Sequence, residues 1–127
     1  MEDFSFESKH YKFKYEDGIL FGTYLDGPIT LELAKEIVDK RLELMKGEET
    51  LILVDVIGTK GVDRDARSFL SSKKGSEGLK AGAIVTDSAF TRHLANFFLK
   101  IPFNQGPMPG RLFSNYEDAI KWLRQFE

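Results

Sequence analysis

Cysteine is absent from the 127 residues, which excludes disulfides, thiolate nucleophiles and zinc–thiolate sites. Histidine is nearly as scarce. His10 precedes the first strand pattern and His93 falls in a helical one, and the sequence places no nucleophile or carboxylate within reach of either, so histidine-based catalysis is not expected. No apolar run approaches the roughly 20 residues needed to span a bilayer. The opening Met1-Glu2-Asp3-Phe4-Ser5 is acidic and lacks the basic-then-apolar order of a secretory signal. These absences predict a cytoplasmic protein without membrane insertion. Excess charge of one sign is missing as well: 18 Lys and Arg stand against 20 Asp and Glu, for a net charge of −2. The basic residues are dispersed, so no nucleic-acid footprint or polybasic patch is visible.

Catalytic motifs are also lacking. There is no Gly-x-Ser-x-Gly nucleophile elbow. The turn Gly58-Thr59-Lys60-Gly61 has neither the Gly-x-x-x-x-Gly-Lys spacing of a phosphate loop nor the flanking helices of a KH loop. No cofactor and no catalytic residue are expected.

What is present is a globular composition, 42% hydrophobic and 30% charged, in a chain of one-domain length with no internal repeat or linker. The expectation is a single domain over residues 1–127. Tyr11-Lys12-Phe13-Lys14-Tyr15-Glu16 alternates with period two and is followed by Asp17-Gly18 and Ile19-Leu20-Phe21-Gly22-Thr23-Tyr24. This predicts a β-hairpin, because a type I′ turn needs positive φ at both central residues, which Asp tolerates and Gly adopts freely.

The period then changes. Leu33, Ala34, Ile37, Val38, Arg41, Leu44 and Met45 share one helical stripe, with Thr30 as N-cap and Gly47 as terminator. Leu51-Ile52-Leu53-Val54, ending in Asp55, reads as a strand buried on both faces, the central one of a parallel sheet. Asp63 is placed to cap a helix that buries Ala66, Phe69 and Leu70. Ala81 to Val85 is a further buried strand, and a helix is expected from about Ser88 to Ile101. Arg111-Leu112-Phe113 reads as a short edge strand, and Ser114-Asn115-Tyr116-Glu117 as a capping box before a last helix carrying Ala119, Ile120, Trp122, Leu123 and Phe126. The order ββαβαβαβα, about five strands and four helices, predicts an α/β fold with helices on both sides of a mixed sheet.

This element order, the central strand ending Val54-Asp55, the loop to Val62-Asp63 opening a helix, and Leu112-Phe113-Ser114 before the last helix resemble STAS domains. They are most similar to the small stand-alone proteins related to the anti-sigma-factor antagonist SpoIIAA. The resemblance covers nearly the whole chain. It implies a non-catalytic regulatory module that binds a protein partner through the loop after the central strand and the following helix: Asp55, Thr59, Lys60, Asp63, Arg64, Asp65 and Arg67. Where such antagonists carry a phosphorylatable serine before a small residue, this chain has Asp65 before Ala66. An aspartate there carries a permanent negative charge.

The same residues have a plainer reading. Asp63 serves as an N-cap, Asp65 is favoured in a first turn by the helix macrodipole, and Asp55 accepts a hydrogen bond from the following loop. A phospho-receiver is disfavoured, since the chain opens with a hairpin and offers Arg111 where that fold needs a lysine. The carboxylates interleave with Arg64 and Arg67 as a solvated helix start does, so no metal is expected. The stretch from Phe90 to Met108 carries more apolar surface than a one-sided helix needs. Phe90, Phe97, Phe98, Phe103 and Met108 are therefore candidates for a homodimer interface or for a groove that takes an apolar ligand or lipid, which would make the protein a carrier or sensor.

Overall fold

A computed structural model describes residues 1–25, 27–58, 61–87 and 108–127, and the expected helix over Ser88–Ile101 lies outside them. Eight strands and three helices occur among the described residues, in the order β1 (Phe4–Glu7), β2 (Tyr11–Glu16), β3 (Ile19–Tyr24), β4 (Pro28–Ile29), α1 (Leu31–Met45), β5 (Thr50–Asp55), β6 (Gly61–Val62), α2 (Arg64–Leu70), β7 (Leu79–Val85), β8 (Gly110–Phe113) and α3 (Tyr116–Arg124).

The chain reverses at Asp17 and Gly18, whose φ angles are both positive (56° and 80°). Glu16 is thereby set opposite Ile19 in the β2–β3 hairpin. Six strands form one mixed sheet in the order β1-β2-β3-β5-β7-β8. The β1–β2 and β2–β3 pairs are antiparallel, and every pair from β3 to β8 is parallel. β5 is thus an inner strand and β8 an edge, as expected. The sequence reading of about five strands falls short by β1 and by a separate two-stranded parallel pair, Pro28↔Gly61 and Ile29↔Val62.

Alternation along the strands sorts side chains onto two faces. On one, Phe13, Leu20, Tyr24, Ile52 and Val54 meet α1 and α2 through Ala34, Ile37, Met45 and Ala66. On the other, Ile19, Leu51, Leu53, Ala81, Ala83 and Val85 meet α3 through Ala119 and Leu123. The all-apolar run of β5 follows from this, because both its faces are covered.

Helix termini follow local chemistry. Thr30 Oγ1 accepts from Leu33 N–H at 3.2 Å and so caps α1. α3 is capped by Asn115, whose Oδ1 accepts from Asp118 N–H at 2.8 Å, one residue later than the Ser114 box predicted. Asp63 occupies the N-cap position of α2 but makes no side-chain cap hydrogen bond, so the plain N-cap reading holds for its position and not for its carboxylate.

Candidate functional site

The carboxyl end of β5 is built around Asp55. Strand alternation puts its side chain on the α3 side of the sheet, with Leu51 and Leu53. There Oδ1 accepts from Ile57 N–H at 2.9 Å, turning the chain, and Oδ2 accepts from the Tyr116 hydroxyl at 2.5 Å. Tyr116 opens α3, and its ring stacks on Phe21 with centroids 6.3 Å apart and planes 8° from parallel. Burial, reinforced by the Asp55 carboxylate, pushes the Tyr116 hydroxyl up to about 12, so it stays a donor at physiological pH. Asp55 therefore ties the outgoing loop to α3, which is the hydrogen-bonding role of its plainer reading.

Beyond Ile57 the chain is pinned through the β4–β6 pair, and Asp63 N–H donates to Ile29 O at 2.9 Å. This anchorage presents the start of α2. Asp63, Arg64 and Asp65 face solvent, whereas Ala66, immediately after Asp65, is fully buried. Ile57 is 46% exposed, which is unusual for a large apolar side chain in this protein. Among the described residues only Met1 and Tyr116 join it as exposed large hydrophobics.

The expected partner-binding set thus divides. Asp63, Arg64 and Asp65 form one solvent-facing group. Asp55 turns to the opposite face of the sheet, Arg67 is half-buried and lines a partly open cavity, and Thr59 and Lys60 lie outside the described residues. Of the Phe-rich set, Phe90, Phe97, Phe98 and Phe103 also lie outside them. Met108 is described: it is half-buried, with its terminal methyl so close over Gly82 that an added Cβ there would sit 2.9 Å from it.

The cavity holds about 110 Å³ between the sheet and the two helices of that face, and is bounded by Tyr24, Ile52, Val54, Ile84 and Met108 with Arg41 and Arg67. Arg41 and Tyr24 were not singled out by sequence reasoning. The available signal was an arginine in the middle of an apolar helical stripe. Arg41 is 3% exposed, and its guanidinium donates to Glu77 O (2.7 Å) and Gly75 O (3.1 Å). Burial lowers its pKa, opposed by the neighbouring Tyr24 and Glu77, yet a guanidinium remains charged at any physiological pH.

Burial pushes the Tyr24 hydroxyl up to about 12, with the Arg41 charge pulling the other way. A raised acid pKa means that the folded state holds a proton the unfolded state gives up. The associated stability is complete below pH 10 and is lost between about 10 and 12, at up to about 1.4 kcal/mol per pH unit. Urea unfolding at a series of alkaline pH values should show this slope, and Tyr24→Phe should reduce it. An unchanged slope in the variant would mean that Tyr24 ionises as freely in the folded chain as in the unfolded one.

Among the described residues no group of three or more His, Asp or Glu side chains is placed to hold a metal, and no helix is long and apolar enough to cross a membrane.

The family model described as "Domain of unknown function (DUF7793)" matches residues 13–127. Among solved structures, the chain is similar to an uncharacterised protein of the DUF3478 family with a SpoIIAA-like fold from Shewanella loihica PV-4. The two share 18% identity over 96% of this chain and 92% of that one, with a TM-score of 0.62. No curated protein matches. The fold is therefore SpoIIAA-like α/β, as the sequence resemblance implied.

Proposed function

The chain belongs to the DUF7793 family of unknown function, and on the geometry above we propose that it is a non-catalytic, cytoplasmic regulatory module of one domain that binds a protein partner. The contact surface is the carboxyl-end face formed by Ile57 and the start of α2, with Asp63, Arg64 and Asp65. One observation carries this reading: Ile57 stands 46% exposed on the loop leading to a solvent-facing acidic–basic–acidic group. An exposed apolar side chain on the same connection as exposed charges has the composition of a recognition surface, in which the apolar group supplies affinity and the charges supply specificity and association rate. Partners of open α/β sheets also tend to meet the carboxyl ends of the strands. Asp65 takes the place of a switchable serine, so the negative charge at this helix start is permanent.

The test is co-purification from the native host followed by point variants against the captured partner. Ile57→Asp and Asp65→Lys should each weaken binding by about tenfold or more, one 1.4 kcal/mol step, while Lys121→Glu on α3 leaves it unchanged. Equal binding by all three variants would place the contact elsewhere.

A further inference from the structure

Two of the three exposed large hydrophobic side chains among the described residues, Ile57 and Tyr116, are fastened to a single carboxylate. Asp55 Oδ1 accepts from the Ile57 backbone N–H, and Oδ2 accepts from the Tyr116 hydroxyl. The Tyr116 ring is held a second time by stacking on Phe21. An apolar group that stands in water yet is already fixed makes an efficient binding anchor, because little ordering is left for association to impose. The charges near this pair are mostly of one sign. β3, β5, β7 and β8 run parallel, so the ends of β5 and β7 and the starts of α2 and α3 share one edge of the sheet. Along it the chain places Asp55, Asp63, Asp65, Asp87, Glu117 and Asp118, all exposed except the half-buried Asp55. Against them stand Arg64 and, across Thr23 from Asp55, Lys12. Helix macrodipoles favour Asp65, Glu117 and Asp118 where they are, but not Asp55 or Asp87. A chain of net charge −2 thereby concentrates negative potential on the edge that carries its fixed, exposed apolar groups.

We propose that the contact surface extends from Ile57 across the Asp55 carboxylate to Tyr116, and that the partner it fits is a basic protein surface. Such a partner is apolar at its centre, where it packs on Ile57 and Tyr116, and carries lysine or arginine side chains around that centre. This rests on the interaction face proposed above and gives its partner a chemistry. The apolar centre supplies the affinity, while opposite charge speeds the encounter and rejects acidic competitors. The Tyr116 ring is the contact group. Its hydroxyl is a positioning group, which holds the ring to the carboxylate that also holds Ile57.

The experiment measures association and dissociation rates of the full chain with the protein that co-purifies with it from the native host. Tyr116→Ala should weaken binding by about tenfold or more, chiefly through faster dissociation, and Tyr116→Phe, which keeps the ring, should lie between Ala and the native residue. For the unaltered chain, association should slow by about tenfold between about 0.01 and 0.15 M salt, as the screening length falls from about 30 to about 8 Å. Glu117→Lys, at an exposed position, should slow association by about threefold at the lower salt. The salt series uses the native chain and so is independent of how any variant folds. Association that is unchanged or faster at high salt, or unaffected by Glu117→Lys, overturns the basic partner. If folded Tyr116→Ala binds like the native chain while Ile57→Asp is weakened, Tyr116 lies outside a contact face that still stands. If neither variant weakens binding, or no protein co-purifies, that face falls together with this extension of it.

Discussion

Gly75→Ala is expected to destabilise the protein by more than about 4 kcal/mol, beyond the ordinary range for single substitutions. A Cβ at Gly75 would sit 2.1 Å from Phe69 O, 2.8 Å from Leu70 Cα and 2.9 Å from Leu70 C. All three are backbone atoms at the end of α2, so no side chain can swing aside. Neither partner is free to retreat. Gly75 N–H donates to Ser72 Oγ at 3.1 Å, its carbonyl is held by Arg41, and Ser72 Oγ in turn donates to Phe69 O at 2.5 Å. The cost therefore comes from closeness of approach at this glycine. Urea unfolding measures it directly. A loss under about 1 kcal/mol would show that the 71–78 turn can shift away from α2, contrary to the packing described.

Arg41→Met ranks next, with an expected loss of about 2–4 kcal/mol. Removing the guanidinium deletes two hydrogen bonds from a charged donor, worth roughly 1.5–3 kcal/mol each, and leaves the carbonyls of Gly75 and Glu77 short of a donor. Two gains offset part of this: the desolvation penalty of the buried cation disappears, and methionine adds apolar contact along the same path. Arg41→Lys should lie between Met and the native residue, because a single ammonium cannot span both carbonyls as the planar fork does. Chemical denaturation orders the three proteins, and amide exchange should show the turn between α2 and β7 losing protection first. If Arg41→Met were as stable as the native chain, the arginine would not be what fastens that turn to α1.

Both residues illustrate the limits of sequence reading. The helical stripe placed Arg41 correctly among apolar positions, whereas nothing local to Gly75 announces how closely it approaches the end of α2. The contact between them spans 34 residues and has no local signature. Local chemistry was more transparent: Asp17-Gly18 specified the hairpin, Thr30 the start of α1, and the apolar run before Asp55 a strand covered on both faces. Phe4 and Phe6 already alternate with polar neighbours, but four residues are too short a run to announce β1, which is defined by pairing with β2. The two-residue β4–β6 pair depends wholly on residues more than 30 positions apart.

At α3 the Ser114 pattern and the Asn115 pattern compete one residue apart. Asn115 prevails because Asp118 completes the exchange, its N–H donating to Asn115 Oδ1 while its Oδ2 accepts from Asn115 Nδ2. In the candidate site, the exposure of Asp63, Arg64 and Asp65 followed from their place at a helix start. The inward turn of Arg67 and the bond from Tyr116 to Asp55 across 61 residues required the sheet to be assembled.

The interaction surface is tested most directly by site-specific photo-crosslinking in the native host, with a benzophenone side chain placed at Ile57 in one strain and at Lys121 in another. The proposed contact face predicts a discrete crosslinked protein species at Ile57, lost on Asp65→Lys, and none at Lys121. A species at Lys121 with none at Ile57 would contradict it and move the partner to the α3 side of the sheet.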